Sequence, residues 1–138
     1  MLRQGLFAAG LIITGALGAS AQTAAPAGAK VYFIEPANGA SVTGPVSVKF
    51  GLKGMGVAPA GIEKPNTGHH HLLIDTKLVD MTSGIPADEK NVHFGAGQTE
   101  TEVKLAPGTH TLQLVLGDQN HIPHVPPVVS EVITITVK

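Results

Sequence analysis

Five of the seven histidines in this 138-residue chain fall in two tight runs, Gly68-His69-His70-His71-Leu72-Leu73-Ile74-Asp75 and Asn120-His121-Ile122-Pro123-His124. Imidazole is the commonest protein ligand of transition metals, and the one side chain whose ordinary pKa lies in the physiological range. The chain has no cysteine, so reactive chemistry falls to imidazoles and carboxylates. His69 and His71 form a His-x-His pair, which on an extended strand puts two rings on one face, roughly 7 Å apart at Cα. His93 lies between Val92 and Phe94 and shares the outward sense when those apolar neighbours look inward. In the second run, Pro123, Pro126 and Pro127 stiffen the backbone, because each fixes its own φ and biases the preceding residue toward extended geometry. His121 and His124 are therefore expected to be held with little freedom, as a ligand site requires.

The candidate metal ligands are His69, His71, His93, His121 and His124. A nitrogen-rich set of this kind favours copper(II), zinc or nickel over calcium or magnesium, with copper the first expectation and zinc the second. Met55, in Gly54-Met55-Gly56, and Met81 are candidate soft ligands that would tilt the site toward copper(I). The competing reading is a metal-free cluster in which the histidines hydrogen-bond and stiffen loops. His70 falls on the parity of Leu72 and Ile74 and is expected to face the core. His110 follows Pro107-Gly108-Thr109, where immunoglobulin-like folds often place a corner tyrosine bonded back to the backbone. It is expected to play that structural part through a ring N–H.

The sequence offers little else to catalysis. No Gly-x-Ser-x-Gly elbow, phosphate loop, dinucleotide fingerprint or His-Glu-x-x-His pair is present. No serine stands beside a histidine, and Asp88-Glu89 reads as a solvated turn. The chain is expected to bind rather than catalyse.

The elements that must position these residues begin after a targeting segment. Arg3, the apolar stretch from Leu6 to Leu17 and Ala19-Ser20-Ala21 make residues 1–21 a signal peptide, cleaved before Gln22. That implies export to the periplasm. The apolar run is too short for a preferred transmembrane helix. Residues 22–29 are small and uncharged and read as a flexible leader. Residues 30–138 are expected to form a single β-sandwich domain. With Arg3 removed, eight lysines face ten acids, which argues against an electrostatic grip on nucleic acid or anionic membrane.

Short apolar runs alternate with turn residues from Lys30 onward. Val46, Val48, Phe50 and Leu52 share one face of a strand, and His110, Leu112, Leu114 and Leu116 share another. Further strands are expected at 31–34, 70–75, 92–94, 99–105 and 129–137. Seven short strands predict an all-β, immunoglobulin-like sandwich. Two long loops, Lys53–Gly68 and Thr76–Asn91, have the length of functional rather than connecting segments.

Residues 31–137 resemble a bacterial family of small exported all-β domains of unknown function. The resemblance rests on Thr67-Gly68-His69-His70-His71-Leu72-Leu73-Ile74-Asp75, His93-Phe94-Gly95-Ala96-Gly97-Gln98 and Gly117-Asp118-Gln119-Asn120-His121-Ile122-Pro123-His124. It implies periplasmic export and a β domain, and brings no activity with it. Two functions then compete. One is a metal-handling protein. The other is an interaction module for an envelope protein or cell-wall component, with the histidines structural.

Overall fold

The computed structural model describes residues 21–138. All but the last residue of the expected signal segment therefore lies outside the described residues. Nine strands form two sheets: β1 (Lys30–Glu35), β2 (Ser41–Val42), β3 (Val46–Lys53), β4 (Gly56–Val57), β5 (Thr67–Ile74), β6 (Asn91–His93), β7 (Glu100–Val103), β8 (Gly108–Gly117) and β9 (Ile133–Val137). The seven expected strands are all present, and the two additions, β2 and β4, are two-residue pairings. The last strand is shorter than expected, because residues 129–132 leave the ladder after a single bridge from Val129 to Val115. Among the described residues no helix is long and apolar enough to cross a membrane.

One sheet has the order β1-β3-β7, and the other runs β2-β9-β8-β5-β4 with β6 also pairing with β5. The architecture is an immunoglobulin-like β-sandwich. Alternation builds its core: Val46, Val48 and Phe50 of β3 meet Leu72, Ile74, Leu112, Leu114, Leu116, Ile133, Ile135 and Val137 of the larger sheet. Burying apolar side chains in this way contributes roughly 1.5–3 kcal/mol apiece.

β5 departs from simple alternation, because every residue from Gly68 to Ile74 is buried. Its second face is covered as well. Leu73 packs there with Val115 and Ile85, flanked by Leu78 and Val129, in a separate apolar cluster. The loop after β5 supplies Leu78 and Ile85, so Leu73 is apolar although its parity points away from the core. The same covered face carries His69 and His71.

Within residues 22–29, the segment expected to be a leader, Thr23 and Ala25 hydrogen-bond to Val125. The Ala25 N–H donates to the Val125 carbonyl and the Val125 N–H to that of Thr23, each at 2.9 Å. An extended segment beside a chain with unpaired backbone groups can satisfy them as a short extra strand.

Candidate metal centre

Register places the first three imidazoles. On β5, His71 pairs with His93 of β6 on one side and with Val115 of β8 on the other. His69 pairs with Gly117 at the end of β8. His69 and His71 lie on one face of the strand, as the His-x-His spacing requires, and His93 faces them from the neighbouring strand.

A tight reversal after β8 brings the fourth. The buried Asp118 carboxylate accepts the N–H groups of Asn120 and Ile122 on Oδ1, at 2.8 and 3.0 Å. The Asp118 carbonyl takes the His121 N–H at 2.9 Å, and the Asp118 N–H returns to the Ile122 carbonyl. His121 itself sits at φ 64°, a left-handed conformation uncommon for a side-chain-bearing residue and characteristic of functional positions. Its carbonyl is held by the Ile85 N–H at 2.8 Å.

The result is a group of four, His69, His71, His93 and His121, each offering a ring nitrogen within 4.8 Å of the others. His69 and His71 are fully enclosed, while His93 and His121 are half-buried at the rim. Ring centroids stand 4.7 Å apart for His69–His71 and for His93–His121, and 5.1 Å for His71–His93. Two glycines make room. A Cβ on Gly117 would lie 2.8 Å from His71 Nε2, and one on Gly95 would collide with the His93 ring. Asp118, Gly117 and Gly95 are supporting residues that no histidine count reveals; their presence in the motif segments was the available signal.

The contacts within the group cannot all be hydrogen bonds. His69 Nε2 stands 2.9 Å from His71 Nε2 and 3.1 Å from His121 Nδ1. A ring nitrogen carries either one hydrogen or one lone pair, so a single nitrogen does not satisfy both neighbours. His93 Nε2 is buried with no partner among the described residues. A cation among the four would accept these lone pairs together, and nitrogen–nitrogen separations near 3 Å suit metal–nitrogen bonds of about 2.0–2.1 Å. The Nδ1 atoms of His69 and His71 have no partner among the described residues, unlike many metal-bound imidazoles whose far N–H is held by a carbonyl or carboxylate. Here the enclosing rings and the glycine gaps orient them.

Electrostatics keeps the inner pair neutral. Burial, then repulsion from His121 and His93, pushes His69 down to about 4, against an opposing pull from Asp118. Burial, followed by repulsion from His69, His93, His121 and His70, takes His71 to about 3. His93 is lowered by burial and by His121. Enclosure disfavours the imidazolium, leaving lone pairs available at neutral pH.

The remaining histidines lie apart from this group. His124 is fully buried, and its Nε2 stands 3.3 Å from the Thr67 carbonyl. His70 faces the core against the Phe50 ring, with centroids 5.0 Å apart and neither ring nitrogen partnered among the described residues. His110 is the expected corner: Nε2 reaches the Ala106 carbonyl and Nδ1 the Asp75 carboxylate, both at 2.7 Å. Met55 packs against the apolar core, and Met81 uses its carbonyl to accept the Gln22 side chain.

Residues 48–138 match the model of a family described as a domain of unknown function, DUF4399. No curated protein matches the chain. Among solved structures it is similar to a fibronectin(III)-like module of Clostridium thermocellum CbhA, at 13% identity and a TM-score of 0.36, covering 78% of this chain and 92% of that one.

Proposed function

The chain belongs to the DUF4399 family, which brings no activity with it, and from its own site we propose that it is an exported periplasmic protein that binds one transition-metal ion, copper(II) before zinc, for metal handling. The observation that carries this reading is the convergence of His69, His71, His93 and His121 on one space, with His69 Nε2 facing two ring nitrogens at once. Four imidazoles fill a four-coordinate sphere, which suits holding a metal better than exposing it to substrate, since catalytic sites keep a position open. Binding without catalysis is therefore part of the proposal. An all-nitrogen set ranks copper(II) above zinc in the divalent series. Export is supported by the Arg3, apolar-run and Ala19-Ser20-Ala21 pattern.

The test is calorimetric titration of metal-stripped protein with copper(II) and zinc(II). One ion per chain is expected, with copper tighter and with binding lost in the His69→Ala/His71→Ala double variant. Absence of heat with both metals, or an unchanged isotherm in the double variant, overturns the proposal.

A further inference from the structure

The N-terminal segment Gln22–Ala25 is joined to both loops that flank the imidazoles. Ala24 forms a parallel bridge with Val125, closed by the paired hydrogen bonds of Thr23 and Ala25 with that residue. The Gln22 amide donates to the Pro123 carbonyl at 3.2 Å, beyond His121, and to the Met81 carbonyl at 2.8 Å, in the loop after β5. The Thr23 hydroxyl donates to Asp118 Oδ2 at 2.8 Å. Asp118 is 2% exposed, and its other oxygen shapes the turn that carries His121.

We infer that Gln22–Ala25 is a clasp that holds the His121 loop ready for metal capture, with Thr23 as a positioning residue acting through Asp118. The inference rests on the metal-binding reading above. His69, His71 and His93 lie on paired strands, whereas His121 lies in a loop at a left-handed φ. Such a backbone persists only where its surroundings over-determine it. A buried carboxylate keeps its place when both oxygens are satisfied. Loss of the Thr23 hydroxyl frees one of them and lets the loop leave the competent arrangement. Apparent affinity then falls by the fraction of molecules still competent.

The experiment compares the full protein with Thr23→Val, which keeps the shape without the hydroxyl, and Thr23→Ser, which restores it. Asn38→Ala serves as a control, because it removes the Thr134 N–H partner at the other end of β8. Copper(II) titration and amide hydrogen exchange of the metal-free proteins are read together. Thr23→Val is expected to bind copper about tenfold more weakly, corresponding to one molecule in ten remaining competent. Its amides at Ile85, Asn120, His121 and Ile122 should exchange faster while those of β5 and β8 hold. Thr23→Ser and Asn38→Ala should match the parent in both measurements. An unchanged copper affinity in Thr23→Val overturns the clasp, as does equal loosening by Asn38→Ala. A parent protein that binds no copper defeats the metal reading instead. The exchange data then decide the clasp alone, and unchanged loop exchange in Thr23→Val overturns it.

Discussion

His69 Nε2 and His121 Nδ1 stand 3.1 Å apart although 52 residues separate them in the chain. One belongs to a paired strand and the other to a loop that doubles back over the strand's end. The contact shows that the two histidine runs meet, and that they meet through one member of the second run. From this geometry His121 is the partner of the strand-borne pair, while His124 is buried with its Nε2 toward the Thr67 carbonyl.

Substitutions at the second run should therefore separate cleanly. His121→Ala is expected to weaken copper binding at least tenfold, as loss of a ligand or its orienting partner commonly does, with little change in metal-free stability. His124→Ala should retain one copper per chain yet destabilise by about 2 kcal/mol, because it empties a fully buried site and strands the Thr67 carbonyl. Titration with metal and chemical denaturation of each variant distinguish the roles. Equal metal loss in both would make His124 a ligand.

Gly117→Ala tests the space that the rings need. The added Cβ would sit 2.8 Å from His71 Nε2 and 3.1 Å from its Cδ2. The His71 ring is enclosed and has no free direction in which to retreat. Overpacking of this kind destabilises by roughly 1–3 kcal/mol, and copper affinity should fall with it. Wild-type affinity and midpoint in this variant would show that the ring is not confined.

The metal-free protein should lose stability as the pH falls below about 6.5, the ordinary imidazole value. His69 and His70 are held down to about 4 and His71 to about 3, in each case chiefly by burial. The unfolded chain takes up protons at these sites first, so stability is full above the unfolded pKa and drains as pH falls toward the folded values. Thermal melts from neutral to acid pH should show that slope. Bound copper should move the acid transition lower, since a ligand of the native state stabilises it. A flat profile would mean that the three rings are not buried neutral.

His110 should show the opposite sign. Its bonds to Asp75 and the Ala106 carbonyl raise its pKa, so its contribution is complete below the unfolded value and is lost as pH rises through the folded one. Asp75, pushed up by desolvation but lowered on balance by its bonds to His110 and Thr111, loses its share only in acid. Asp75→Asn is therefore expected to lower the melting temperature more at about pH 5.5 than at about pH 9. Equal shifts at both would show that His110 is neutral throughout.

His70→Leu should stabilise the protein. Both ring nitrogens are buried beside Phe50 without partners among the described residues, and an unsatisfied buried polar group costs about 1–3 kcal/mol. Denaturation midpoints at neutral pH check this, and a lower midpoint would mean that the imidazole fits its site better than leucine does.

Much of the frame was legible from residue order. Period-two alternation in Val46-Ser47-Val48-Lys49-Phe50 and in Thr111-Leu112-Gln113-Leu114 marks strands, because the pleat sends successive side chains to opposite faces. The same parity turned His70 inward and set His69, His71 and His93 on the other face, where the structure groups them. Leu73 departs from that pattern because its partners Ile85 and Val115 come from distant segments. Tertiary structure alone decided which loop imidazole joins the group. That choice depends on a left-handed backbone at His121 and on a carboxylate held by a hydroxyl 95 residues away. Strand parity is a local consequence of covalent geometry, whereas a loop takes its shape from hydrogen bonds with whatever the fold brings beside it.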